Sequence, residues 1–210
     1  TTYILDTLKN KVRIINNPTS IRNISEKLYS MKFIQFMPDT MFTKKIEDIL
    51  YFYKKYKKVI LKPIHSYSGN DIIFINNKLS IKVISNFIKK HGHIMVQKFL
   101  PKIKYGDKRV FIINGKICGC ISRVPKPGSI LSNMSKGAKP KLIKLTQKEI
   151  KISKIVAKDL VKKDIYFAGI DFIDQKLNGD INVTSPTGLK TLYDLSNINL
   201  ADYFWKGLKA

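Results

Sequence analysis

Two apolar runs, residues 109–113 and 116–121, meet at Asn114-Gly115. Asn-Gly takes positive φ at both central positions of a type I′ turn, and that turn's twist matches two antiparallel strands. The pair commits this stretch to a hairpin and the chain to a sheet with antiparallel neighbours. Helical periodicity stands on both sides of it. After the turn and helix cap Asn17-Pro18-Thr19-Ser20, the residues Ile21, Ile24, Leu28 and Met31 recur at helical spacing. Ile46, Ile49, Leu50 and Tyr53 share the face of a second helix. Ser80 opens a third, with Val83, Ile84, Phe87 and Ile88 inward. Thr146-Gln147-Lys148-Glu149 is a capping box ahead of Ile152, Ile155, Val156 and Leu160. Strands are read at 59–61, 72–75, 94–100, 167–173 and 181–183. Helices and strands alternate irregularly, with hairpins among them, so the fold class is α+β.

Composition bounds the rest. A chain of 210 residues, 44% hydrophobic, can bury one large core or two small ones. No apolar run reaches the ~18 residues of a membrane span, and no charged-then-apolar leader opens the chain. Lys and Arg number 39 against 15 Asp and Glu, a net charge of +24. Only Arg13, Arg22, Arg109 and Arg123 are arginines, whereas bidentate phosphate and base contacts favour Arg. The lysines spread over the whole chain beside abundant Ile and Asn, as AT-rich codons would encode. Charge therefore reads as solvated faces, and nucleic acid is not the expected partner. Cys118 and Cys120 would share one side of a regular strand, too close in sequence for a comfortable bridge. They read as packing residues of a chain in a reducing cytoplasm. His65, His91 and His93 lack ligand spacing and read as surface residues. The Pro-, Gly-, Ser- and Lys-rich stretch 125–140 is too long for a turn and reads as a mobile loop. There is no nucleophile elbow, no GxGxxG and no Cys-His cluster.

Three constellations could carry chemistry. Asp171 lies in one strand, and Asp180 and Asn182 alternate on the next, so three oxygens could converge on a hard cation such as Mg²⁺. Strand-end carboxylates at the surface are the more ordinary alternative. Lys62 follows a buried strand and precedes the small-residue loop Ser66-Tyr67-Ser68-Gly69, an arrangement suited to nucleotide phosphates. Gly106-Asp107-Lys108-Arg109 places a scarce arginine at the start of a hairpin strand, where a functional role and a surface ion pair both stand.

In this order the residues resemble prokaryotic glutathione synthetases, which are ATP-grasp enzymes. The matching stretches include Asn23-Ile24-Ser25-Glu26-Lys27-Leu28, Ile60-Leu61-Lys62-Pro63 and Gln97-Lys98-Phe99-Leu100-Pro101. Gly106-Asp107-Lys108-Arg109-Val110, Ser122-Arg123-Val124-Pro125 and Gly169-Ile170-Asp171 continue the match. The most specific string is Ile181-Asn182-Val183-Thr184-Ser185-Pro186-Thr187. The resemblance runs from about 13 to about 193. It implies an ATP-grasp fold, two α+β lobes enclosing a nucleotide, with lobe one near 38–98, lobe two near 99–210 and a lid at 125–140. Residues 18–210 would form the ATP-grasp domain. Residues 1–17 would be the remnant of a preceding substrate-binding domain of about a hundred residues, an ordinary domain size.

The resemblance also implies roles. Lys27, Lys62, Ser66, Ser68, Gly69 and Asp107 would belong to the nucleotide site, and Gln97, Lys98, Phe99 and Leu100 would form the hinge that reads adenine. Asp171, Asp180 and Asn182 would hold Mg²⁺, or Mn²⁺ in its place. Arg109 and Arg123 would face the transferred phosphoryl group. Asn182, Ser185, Pro186 and Thr187 would lie beside the peptide substrate. Asp180 stands where the family usually has Glu, in a turn one residue longer, and Leu131 and Lys139 replace lid arginines. The implied reaction joins γ-glutamylcysteine and glycine through an acyl phosphate, with ATP converted to ADP and phosphate. A homo-oligomer is implied for the full-length protein. Another carboxylate–amine ligase, or a non-catalytic basic nucleotide- or RNA-binding module, is the alternative.

Overall fold

The computed structural model describes residues 1–66 and 69–209. The loop residues Tyr67 and Ser68 lie outside the described residues, and with them the expectation for Ser68.

Four strands form the first sheet: β1 (Thr40–Thr43), β2 (Val59–Pro63), β3 (Ile73–Ile75) and β4 (Ile94–Lys98), in the order β1-β4-β2-β3. Every neighbouring pair is antiparallel. Side chains alternate across a strand. Val59, Leu61, Ile94 and Val96 pack under two helices, α3 (Ile46–Tyr56) and α4 (Ile81–His91), against Ile49, Phe52, Ile84 and Phe87. The opposite alternation leaves Ile60, Lys62 and Gln97 on the other face. Ser80 caps α4 as its sequence position suggests, but Val83 is exposed.

The second sheet holds β5 (Asp107–Ile113), β6 (Lys116–Val124), β7 (Lys139–Leu142), β8 (Phe167–Ile173) and β9 (Lys176–Asn182), in the order β7-β6-β5-β8-β9. Asn114-Gly115 turns β5 into β6 as expected. The capping box at Thr146 starts α5 (Gln147–Val161), whose Ile152, Val156 and Leu160 pack against Val110, Ile112, Ile170 and Phe172. Each such side chain contributes about 1.5–3 kcal/mol of burial. Ile155 is turned outward. The other face of β5 is split along its length. Phe111 and Ile113 lie beneath α6 (Leu189–Ser196) and α7 (Leu200–Lys209), against Leu192 and Leu200. Asp107 and Arg109, one turn of the pleat earlier, have no helix above them and are left to the cavity.

Several expectations are corrected. The helix expected to run to Met31 stops at Asn23: α2 is Pro18–Asn23, after a short α1 (Thr2–Asp6). Ile24 leaves helical geometry at φ −108° and ψ 82°. The Glu26 carbonyl then accepts the Ile181 N–H at 3.0 Å, so pairing with β9 displaces helix continuation. Residues Leu28–Phe36 form a kinked 3₁₀ segment that buries Phe33 and exposes Met31. The stretch 125–140 is not loop throughout, because Lys139–Leu142 pairs with β6. Cys118 and Cys120 face opposite sides. Phe111 pairs with Gly119 and Ile112 with Ile117, which leaves Cys118 as a bulge. Cys118 packs with Phe111 under α6, whereas Cys120 packs with Val110 toward α5. Among the described residues, no helix is long and apolar enough to cross a membrane.

Candidate functional site

A cavity of about 470 Å³ lies between the two sheets and is lined from both. That is within the usual range for a small-molecule site, about 300–1,000 Å³. Its first wall is the helix-free face of the first sheet. Ile60, Lys62 and Gln97 line it, and the chain leaves β4 through Lys98, Phe99 and Leu100 along its rim. Two backbone bonds fix this exit: Lys98 N–H to the Asp39 carbonyl at 2.9 Å, and Phe99 N–H to the Lys58 carbonyl at 3.0 Å. The Phe99 ring packs on Phe74 with centroids 4.3 Å apart. Gln97 is buried and donates to the Thr40 hydroxyl at 2.9 Å.

Two lysines reach this wall from different elements, and both are buried. Lys27 Nζ donates to the Ser66 carbonyl at 2.8 Å and lies 3.7 Å from Asp180 Oδ1. Lys62 Nζ donates to the main-chain and side-chain oxygens of Asn178, at 2.8 and 2.9 Å. Burial pushes the Lys62 ammonium below its ordinary pKa, because a charged form taken out of water loses hydration. Ser66 and Gly69 also line the cavity.

The second wall carries a compact charge cluster. Arg109 donates through Nε and Nη2 to the two oxygens of Asp171, the second at 2.7 Å. Arg123 donates to both oxygens of Asp107 and reaches Asp171 Oδ2 at 2.8 Å. Burial alone would raise the Asp171 pKa, but the two guanidinium groups hold it down to about 2. Asp107 is shifted upward by burial, with Arg123 opposing. The Ser132 hydroxyl, from the 125–138 stretch, donates to Asp107 Oδ2. Arg109 is thus in an ion pair, as one reading allowed, but a buried one that faces the cavity.

Opposite Asp171 the ladder opens. Ile170 pairs with Ile181 and Phe172 with Leu177, so Asn178, Gly179 and Asp180 all oppose one residue. Gly179 makes this bulge possible at φ +88°, where a Cβ would lie 2.8 Å from Met95 Cε. Asn178 and Asp180 both line the cavity as a result, with Asn182, Ser185 and Thr187 beyond them. The Asn182 side-chain oxygen Oδ1 accepts the N–H groups of Thr184 and Ser185, at 3.1 and 2.9 Å. Pro186 does not line the cavity; it is buried on the same face of β8 as Arg109, where a Cβ on Gly169 would come within 3.1 Å of it.

Glu26, Ser132 and Asn178 are among the lining residues that the sequence does not single out. Glu26 directly precedes Lys27 in a matching stretch, which is the only signal it left. Burial and the nearby Asp180 carboxylate push its pKa up to about 7. Asp171, Asp180 and Asn182 are oxygen donors, the type that Mg²⁺ and Mn²⁺ prefer. Among the described residues, no three His, Cys, Asp or Glu side chains converge as a finished metal cage. Mg²⁺ commonly takes one or two carboxylates and completes its shell with water and substrate phosphates, so this donor set fits it.

Comparison with known proteins bears on the family and the fold. Residues 26–197 match the family model described as prokaryotic glutathione synthetase, ATP-grasp domain. The chain is 35% identical over 205 residues to a glutathione synthetase of Prochlorococcus marinus, covering 96% of this chain and 66% of that protein. It is 36% identical over 216 residues to a glutathione synthetase of Buchnera aphidicola, covering 98% and 67%. The chain therefore spans about two-thirds of the curated relatives it matches. Among solved structures, the ATP-grasp ligase PsnB superposes with a TM-score of 0.69 at 15% identity, over 96% of this chain and 65% of that one. D-alanyl-alanine synthetase A from Vibrio cholerae gives 0.62 at 14% identity, over 87% and 63%. These two likenesses speak to the fold, which is ATP-grasp. With most of its length matched by the family model, the chain belongs to the prokaryotic glutathione synthetase ATP-grasp domain family.

Proposed function

We propose that this chain carries the catalytic centre of an ATP-dependent ligase that joins γ-glutamylcysteine to glycine. One observation carries the reading: two lysines, two arginines and two aspartates, all buried, meet with Glu26 and Asp180 in one cavity that no His or Cys lines among the described residues. Charge is concentrated there, and among the described residues no His stands by to activate the Ser and Thr hydroxyls of the lining, which suits phosphoryl transfer between bound substrates.

In this reading, residues near 38–98 and 99–210 act as two lobes, each built on one of the sheets. Ile60, Phe99 and Leu100 supply an apolar slot for the adenine base, and backbone groups of the hinge read its edge. Lys27 and Lys62 neutralise phosphate oxygens. Arg109 and Arg123 exchange part of their hold on Asp171 and Asp107 for the transferred phosphoryl group and the acyl phosphate it forms. Asp171, Asp180 and Asn182 hold Mg²⁺, which supplies charge neutralisation at the phosphates. Asn182, Ser185 and Thr187 lie beside the peptide, with Pro186 fixing their path. Glycine's amine attacks the acyl carbon, the tetrahedral adduct expels phosphate, and the new amide remains. Residues 130–135 cover the cavity and keep water from the acyl phosphate. The inward placement of these cations argues for ATP rather than nucleic acid as the anionic partner. Two free cysteines fit a cytoplasmic enzyme.

The test is an assay with ATP, Mg²⁺, γ-glutamylcysteine and glycine. ADP and glutathione should appear in equal amounts, and only when both substrates are present. ADP release with a different acid–amine pair alone would keep the ligase and overturn its substrates. No ADP release with any pair would overturn both.

A further inference from the structure

We propose that Asn178 is a positioning residue that sets Lys62 for the nucleotide's phosphates, a role that rests on the reading of this cavity as a nucleotide site. Lys62 and Asn178 come from different sheets, β2 and β9, and meet across the cavity. A buried ammonium is costly unless its donors are satisfied. Lys62 has three N–H donors. Among the described residues two of them have acceptors, both on Asn178: the main-chain oxygen at 2.8 Å and Oδ1 at 2.9 Å. One donor is left for a ligand in the cavity that Lys62 lines.

This clamp exists only because the ladder is broken opposite Asp171. In a regular strand, residue 178 would stand opposite Asp171 as one member of the ladder. The bulge takes residue 178 out of that pairing, and beside Gly179 at φ +88° its carbonyl and side chain reach the same nitrogen. The same bulge carries Asp180, whose Oδ2 lies 3.4 Å from Asn178 Nδ2. Asn178 therefore ties a phosphate-binding cation of one sheet to the carboxylate-bearing strand of the other. The side-chain bond also fixes which way the long, flexible lysine stem points, so less rotamer freedom is lost when phosphate arrives.

Asn178→Ala removes Oδ1 and keeps the main-chain acceptor and Gly179. Titration with the non-hydrolysable imido analogue of ATP and Mg²⁺ should show affinity reduced about tenfold, the cost of one hydrogen bond to a charged group. KM for ATP should rise while KM for γ-glutamylcysteine stays within twofold. In a Lys62→Met background, Asn178→Ala should change analogue affinity less than twofold, because the partner it positions is gone. A general loosening of the bulge would instead weaken binding equally in both backgrounds, and that result overturns the proposal. So does unchanged affinity in Asn178→Ala while the unsubstituted protein binds normally. No binding by the unsubstituted protein would overturn the nucleotide-site reading itself, and this proposal with it.

Discussion

Arg123 Nη2 donates to Asp171 Oδ2 over 2.8 Å, although β5 separates the strands that carry them. Both side chains lie on the part of the second sheet that α6 and α7 leave uncovered, and β5 contributes Asp107 and Arg109 between them. The four groups alternate in sign, so the cluster is neutral as a whole and each charge has a partner. Asp171 is its hub, since both guanidinium groups rest on it. Asp171→Asn keeps the shape and removes the charge, leaving two buried cations on one carboxylate. We expect a loss of about 3–5 kcal/mol in urea unfolding, as when one member of a buried ion pair is removed.

Asn16 is a structural counterpart with no chemical role. Its amide donates at 2.7 Å to the carbonyls of Phe167 and Val183, and its oxygen accepts from the N–H groups of Tyr166 and Phe167 at 2.8 Å. Asn16→Ala would strand several buried backbone groups. Stability should fall by about 2–4 kcal/mol, with nucleotide affinity per folded molecule unchanged. Calorimetric unfolding paired with analogue titration separates the two.

Gly179→Ala should strike both stability and binding. At φ +88° any side chain is strained, and this one would also meet Met95 and Met37. A loss of about 1–3 kcal/mol is expected, together with weaker binding of the ATP analogue, because Asn178 and Asp180 shift together. Unchanged affinity in a destabilised protein would show the bulge to be incidental to the site.

The fold is legible in the sequence where a local rule decides the outcome. Asn114-Gly115 forces a hairpin, Thr146 to Glu149 closes a capping box, and apolar runs such as 59–61 are long enough to mark buried strands. It is hidden where distant chain makes the decision. The Ile21 to Met31 periodicity gives way because Glu26 pairs with Ile181. The edge strands Thr40–Thr43 and Lys139–Leu142 are short and partly exposed, so they lack an apolar signature. Asp171 was legible as a carboxylate among apolar strand residues, Lys62 by its place between a buried strand and a small-residue loop, and Arg109 by the scarcity of arginine. Asn178 was not, because nothing in Leu-Asn-Gly-Asp reveals that its carbonyl meets a lysine from the other sheet. Nor could spacing reveal the bulge that turns Cys118 away from Cys120.

A pH experiment isolates a contact outside the cavity. Asp159 of α5 accepts from the Tyr29 hydroxyl and the Lys32 ammonium of the 3₁₀ segment. Burial raises its pKa, but Lys32 and Tyr29 outweigh this and leave it below the ordinary carboxylate value. A depressed folded-state pKa gives stability that is present above the unfolded value, about 3.9, and lost as pH falls through the folded one. Asp159→Asn should therefore cost about 1 kcal/mol or less at neutral pH and nothing in strong acid. Urea midpoints measured across that range should converge as the pH drops.

The central claim is that the cavity between the two sheets is a magnesium–nucleotide site. Its most direct test is calorimetric titration of the protein with Mg²⁺ and the imido analogue of ATP, repeated for Lys62→Met and Asp171→Asn. The account predicts saturable binding at one nucleotide per chain, weakened at least about tenfold by each substitution, as loss of a charged contact to phosphate or metal would do. Absence of saturable binding, or binding that neither substitution changes, would contradict it.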